Sequence, residues 1–166
     1  MTRPVLLLAL VLAASPLVAQ EHERANELAV FLGGTSENDD THFTIGAEYT
    51  RDLSDRFALG VVGEHVDGVD AWVFIAALYF QPVKGLGLRL YGGPGFTAKV
   101  PEPEPGSEGE PQEGGREAFF LVRGGVGWVA EVGRVSFMPQ LEIDFTREGG
   151  EWQTALVFGV SVGFGF

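Results

Sequence analysis

The stretch Glu151–Phe166, EWQTALVFGVSVGFGF, decides how the rest of the chain is read. From Trp152 onward every second residue is large and mostly apolar: Trp152, Thr154, Leu156, Phe158, Val160, Val162, Phe164 and Phe166. Between them stand Gln153, Ala155, Val157, Gly159, Ser161, Gly163 and Gly165, small or polar apart from one valine. Side chains on a strand alternate faces with a period of two, so this is a strand with one bulky apolar face and one small face. It runs to the last residue and ends on an aromatic. A soluble domain rarely leaves Phe-Gly-Phe at a free carboxylate, whereas a closed barrel needs its last strand to pair with its first.

Working back from that strand, the same alternation marks seven more, at 27–34, 41–51, 56–66, 71–81, 86–99, 118–131 and 134–146. No segment sustains a period of 3.6, and Gly or Pro interrupts most windows long enough for a helix. The faces are unequal. Phe43, Ile45, Ala47 and Tyr49 oppose Thr44, Gly46 and Glu48; Phe57, Leu59 and Val61 oppose Ala58, Gly60 and Glu64. Leu86, Leu88 and Leu90 oppose Arg89, Tyr91, Gly93 and Gly95. Phe120, Val122, Val126 and Trp128 oppose Arg123, Gly125, Gly127 and Glu131. Val135, Phe137, Leu141, Ile143 and Phe145 oppose Ser136, Gln140, Glu142 and Asp144. A soluble barrel turns its bulky face inward and shows charge to water. Here the charged face carries the glycines, which suit a narrow interior, and the bulky face is almost free of charge. That inversion belongs to a transmembrane barrel. The 71–81 segment is apolar on both faces and does not discriminate.

Aromatic residues agree. Phe43, Trp72, Phe96, Phe120, Phe145 and Trp152 fall at one set of strand ends, and Tyr49, Phe57, Phe80, Phe137, Phe164 and Phe166 at the other. Two belts, one per membrane surface, are expected of this class. Ser54-Asp55, Pro82 to Gly85 and Val132-Gly133 read as tight turns on the side of the termini. Thr35 to Asp40, Asp67 to Asp70, Val100 to Glu117 and Glu148 to Gly150 read as longer or more acidic connectors on the other side. Residues 101–115, PEPEPGSEGEPQEGG, hold Glu102, Glu104, Glu108, Glu110 and Glu113 without a Lys or Arg, a composition that predicts an extended, disordered loop. Pro94 and Pro139 fall inside strands, where each deletes a ladder donor, so a bulge is expected at both.

At the amino end Arg3 precedes an apolar run from Val5 to Ala14 and then Ser15-Pro16-Leu17-Val18-Ala19. A positive start, a short apolar core and a small exit residue predict a cleavable signal peptide over 1–19, with Leu17 larger than the cleavage site prefers. The run is too short for a spanning helix. Residues 20–166 then form one domain. The formal charge of −12 makes a poor nucleic-acid binder, since neutralising phosphate needs Lys and Arg. There is no Cys, hence no disulfide framework or thiol chemistry.

The alternating apolar Val160, Val162, Phe164 and terminal Phe166 resemble the C-terminal strand of bacterial outer-membrane proteins, where this pattern serves as the assembly signal. Over residues 20–166 the chain resembles the small eight-stranded outer-membrane β-barrels of the OmpA transmembrane-domain and OmpX type, the porin-like barrel domains of Gram-negative envelopes. The resemblance implies an all-β, up-and-down antiparallel barrel and an outer-membrane location. Its implied partners are membrane lipid, lipopolysaccharide, the barrel-assembly machinery and periplasmic chaperones, with the chain a monomer and no cofactor. Such barrels include adhesins, pores and proteins without known activity, and fold does not choose among them.

Three settings for chemistry present themselves. Glu48, Glu64, Arg89, Arg123, Glu142 and Asp144 face the lumen, which in an eight-stranded barrel is just wide enough for side chains to fill. Buried charges must pair, which predicts an internal ion-pair plug; a narrow gated pore is the alternative. The rim residues Glu37, Asp39, Asp40, His42, His65, Asp67 and Asp70 could hold Ca²⁺ or Mg²⁺, but they lack the spacing of a calcium loop and read as solvated charge, so no metal is expected. His65 with Asp67, or His42 with Ser36, could be cast as catalytic pairs, but no G-x-S-x-G is present and no enzyme is expected. Gly92-Gly93-Pro94-Gly95 lacks the Lys-Ser/Thr and helix of a phosphate loop. A soluble lipocalin-like carrier would need an apolar interior, which only 71–81 offers.

Overall fold

The computed structural model describes residues 25–38, 40–83, 85–99 and 117–166. The expected signal peptide, the boundary at residue 20 and the 101–115 connector lie outside them. The strands are β1 (Asn26–Glu37), β2 (Asp40–Asp52), β3 (Phe57–Val66), β4 (Ala71–Phe80), β5 (Leu88–Lys99), β6 (Glu117–Trp128), β7 (Ala130–Val132), β8 (Val135–Glu148) and β9 (Glu151–Gly165). Each pairs antiparallel with its neighbours, β9 with β1 and β6 with β8, so the sheet closes on itself. β7 continues the line of β6 past Val129 and also pairs with β8. The barrel therefore has eight staves, one of them in two pieces.

That break and the two prolines have one explanation. β6 pairs with β8 as far as Gly127↔Gln140, and the ladder resumes in the same register at Ala130↔Phe137. Pro139 stands in the gap. Pro94 does the same to the β4–β5 ladder, which stops at Ile75↔Gly95 and resumes at Leu78↔Gly92. Proline has no amide hydrogen to donate, so the ladder lapses around it. No residue is inserted at either place. The bulges expected from sequence are absent; the strands stay in register and forgo hydrogen bonds instead.

Strand limits also differ at the turns. β1 and β2 pair to Glu37↔Asp40, and β8 and β9 to Glu148↔Glu151, so these are two-residue hairpins rather than longer connectors. Gly149 and Gly150 take φ 58° and 93°, the doubly left-handed turn whose twist matches that of the strands. The difference in connector length between the two ends thus rests on the separation of Lys99 from Glu117. β5 begins at Leu88 rather than Leu86 because Gly85 and Gly87, at φ 80° and 75°, spend Leu86 in the preceding turn.

The outward face is apolar through its middle, with Arg51 and Arg147 exposed near its two ends. Leu28, Val30 and Leu32 of β1, Leu59 and Val61 of β3, Leu141 and Ile143 of β8, and Phe158 and Val160 of β9 are all exposed. β4 presents Trp72, Phe74 and Leu78 outward and buries Val73, Ile75, Ala77 and Tyr79. Together with Val62, Val66, Tyr91 and Leu121 these make an apolar sector inside the barrel, beside the charged one. A contiguous apolar surface of this extent has no stable exposure to water, and only a closed barrel satisfies its backbone in hydrocarbon.

Glycines let the interior fill. A Cβ at Gly60 would lie 2.8 Å from the Tyr79 ring, and one at Gly125 2.7 Å from that of Tyr91. Phe31 lies across Gly33 and Gly159, themselves cross-strand partners. In each case a large inward side chain uses the space of a missing one.

Candidate functional site

Arg123 on β6 is the centre of the interior. Asp144 on β8 is its cross-strand partner, and the two meet bidentately, Nε to Oδ1 at 2.6 Å and Nη2 to Oδ2 at 2.7 Å. Glu64 reaches from β3 across the lumen, 2.8 Å from both Nη1 and Nη2. Glu142 Oε2 is 2.7 Å from Nη1. All four residues are buried, Glu64 at 1% exposure and Arg123 at 3%. Guanidinium offers five donors in a rigid fork, so one Arg makes five close contacts to three carboxylates, bidentate to Asp144, where the three donors of Lys would leave two unmade. The other Glu142 oxygen accepts from Tyr91 Oη at 2.5 Å. That bond passes over β6, and Gly125 is what lets the ring across.

Of the six lumen residues expected from sequence, the structure brings together Glu64, Arg123, Glu142 and Asp144. The other two lie elsewhere. Arg89 sits near the end that carries the termini, 4.0 Å from Glu27 and 5.8 Å above the Tyr79 ring. Glu48 is buried on β2 between Ala29 and Val62 and is not one of Arg123's partners. A cavity of about 70 Å³ opens beside Arg89, lined by Asn26, Glu27, Thr50, Asp52, Arg89, Glu131 and Gly165. At the opposite end Lys99 Nζ bonds Glu148 at 2.6 Å, and Gln153, with its amide nitrogen turned toward them, donates to Glu148 at 3.1 Å and to Glu37 at 3.0 Å. Sequence reasoning placed Tyr91 on the inward face near the charges, and missed Lys99 and Glu27 as ion-network members. Their inward parity was readable, but their heights in the barrel depend on register.

On the rim, His65 Nε2 meets Asp70 Oδ1 at 3.2 Å, not Asp67, whose carboxylate accepts from the Gly68 amide at 3.0 Å. The His65 ring also packs on Trp72, with centroids 4.8 Å apart. Ser36 accepts from Thr41, and His42 lies against Gly68. Asp39 lies outside the described residues, and among those described no three metal-ligating side chains converge.

On the outward face Phe43, Trp72, Phe120 and Trp152 stand exposed at one end, and Tyr49, Phe57 and Phe137 at the other, with Phe80 half-buried against Phe57. Val160, Val162 and Phe164 pair with Leu32, Val30 and Leu28 of β1, and the Phe166 amide donates to the Asn26 carbonyl at 2.9 Å.

A closed eight-stave barrel, apolar outside and charged within, defines a small transmembrane β-barrel of the outer-membrane type. Solved structures of that class match it. The N-terminal β-barrel domain of Pseudomonas aeruginosa OprF superposes with a TM-score of 0.56 at 16% identity, over 86% of this chain and all of that one. The Yersinia pestis outer-membrane protein Ail gives 0.53 at 11% identity, over 85% of this chain and 99% of the other. Pseudomonas aeruginosa OprG gives 0.51 at 9%, over 85% and 97%. No protein-family model matches the chain, and no curated protein sequence does either. The likeness is one of fold.

Proposed function

We propose that the chain is an integral protein of the bacterial outer membrane whose interior is shut by its own side chains and whose role is structural, a scaffold that presents acidic connectors at the cell surface. The observation that carries this is the Arg123 cluster, which spans the lumen from β3 to β6 and β8 with every member buried. Charges withdrawn from water are retained where they are paired, and here every carboxylate of the cluster lies within 2.8 Å of the Arg123 guanidinium, which supports a closed lumen. The apolar outward belt supplies the membrane anchorage, and the rim histidines are engaged by rings and turns rather than by a nucleophile. On this reading the barrel is a monomer without enzymatic activity, bedded in lipid and lipopolysaccharide. It is brought there by the assembly machinery and periplasmic chaperones through the Val160, Val162, Phe164 and Phe166 pattern, with its termini periplasmic.

Topology tests this directly. An epitope inserted between Gly149 and Gly150, an exposed two-residue turn, should bind antibody on intact cells. Binding only after the outer membrane is permeabilised would overturn the surface-scaffold reading, and recovery in the soluble fraction would overturn the membrane reading as well.

A further inference from the structure

Inward-facing charge is sorted by strand. Among the described residues the inward Lys and Arg side chains are Arg89 and Lys99 on β5 and Arg123 on β6, placed near one end, near the other end and in the middle. Their carboxylate partners lie on other staves: Glu27 on β1, Glu64 on β3, and Glu142, Asp144 and Glu148 on β8. The only acid on β5 or β6 is Glu117, exposed at the rim. A barrel that merely neutralised its interior would have no reason to collect the cations on one hairpin.

The backbone singles out the same hairpin. β5 and β6 pair without interruption from Leu88↔Trp128 to Lys99↔Glu117. Both of their outer seams lapse at a proline, Pro94 against β4 and Pro139 against β6–β7. The β1–β9 and β8–β9 ladders have no such gap. In hydrocarbon an unmade backbone bond is not replaced by water, so these seams are the weakest lateral joints in the wall.

We infer that the β5–β6 hairpin is a discrete clasp: one rigid unit, tied to the barrel chiefly from inside by Arg89, Arg123 and Lys99, and the part of the wall that separates first. Among the described residues, the inward charge left behind is all carboxylate, on β1, β2, β3, β7 and β8. The inference rests on the transmembrane-barrel reading. Local opening of this kind is resolved by amide exchange, which reports each hydrogen bond separately.

The test is residue-resolved hydrogen exchange on the full barrel refolded in lipid nanodiscs. Amides donated across the β4–β5 and β6–β8 seams should exchange about tenfold or more faster than those of the β1–β9 seam, while amides shared between β5 and β6 stay as protected as β1–β9. Arg123→Met should speed both seams about a further tenfold, because each charge-assisted bond removed weakens the same opening. Should that variant not fold, Lys99→Met, at the rim, should speed exchange in the seam halves nearest Lys99 and leave β1–β9 unchanged. Equal protection around the whole wall, or β5–β6 amides lost together with the seams, would overturn the clasp. Loss of protection everywhere, including β1–β9, would instead overturn the barrel.

Discussion

Two seams of this barrel are held by opposite chemistry. Between β1 and β9 the middle of the inward face is packed chiefly by apolar side chains: Phe31 lies over Gly33 and Gly159, and Val157 is wholly buried, with Glu27 at one end. Between β6 and β8 the inward face is ionic, with Arg123 and Asp144 opposed and Glu142 beside them. Apolar filling stabilises by burial and close packing, and it tolerates some change of shape. A buried ion cluster contributes little net energy against an apolar equivalent, yet removing one member leaves an uncompensated charge. The apolar seam is therefore the source of stability, and the ionic seam fixes where the strands stand.

The largest effect is expected at Arg123. Arg123→Ala leaves three buried carboxylates without their cation and should destabilise by about 4 kcal/mol, read from urea unfolding in lipid vesicles by tryptophan fluorescence. A loss near zero would mean the cluster is solvated. Next comes Phe31→Ala, which opens a cavity over Gly33 and Gly159 and should cost about 3 kcal/mol in the same assay. If Phe31→Ala cost clearly more than Arg123→Ala, the assignment of rigid dependence to the ionic seam would be reversed. Gly125→Ala pushes a methyl into the Tyr91 ring and should cost about 2 kcal/mol, with the Tyr91–Glu142 bond lengthened in a crystal structure of the variant. Smallest is Lys99→Met, at the half-exposed pair with Glu148, which should change stability by less than about 1 kcal/mol.

Much of this architecture was legible in the sequence, for a physical reason. Alternation along Trp152–Phe166, and the contrast of bulky against glycine-and-charge faces in five other strands, reports the environment of each face residue by residue. Strand β4 gave no contrast because both its environments are apolar, lipid on one side and the inner sector of Val73, Ile75 and Ala77 on the other. Register was not legible, since it is a property of pairs of strands. For that reason Arg89 could be placed in the lumen but not assigned to Glu27, and Lys99 was not seen to meet Glu148. His65 was linked to the acid two residues away rather than to Asp70, which the turn at Asp67–Asp70 folds back. Pro94 and Pro139 were seen, but not their consequence, because a proline in a strand can be met by an inserted residue or by an unmade bond and the sequence favours neither.

A barrel plugged by the Arg123 cluster is shut at rest and passes no current. Single-channel current across a planar bilayer, with insertion verified by a heat-dependent gel shift, tests it most directly. A silent membrane is expected for the wild-type barrel. Discrete, reproducible conductance steps from the inserted wild-type protein would contradict it, and the Arg123 cluster would then have to be read as a gate that opens rather than a plug.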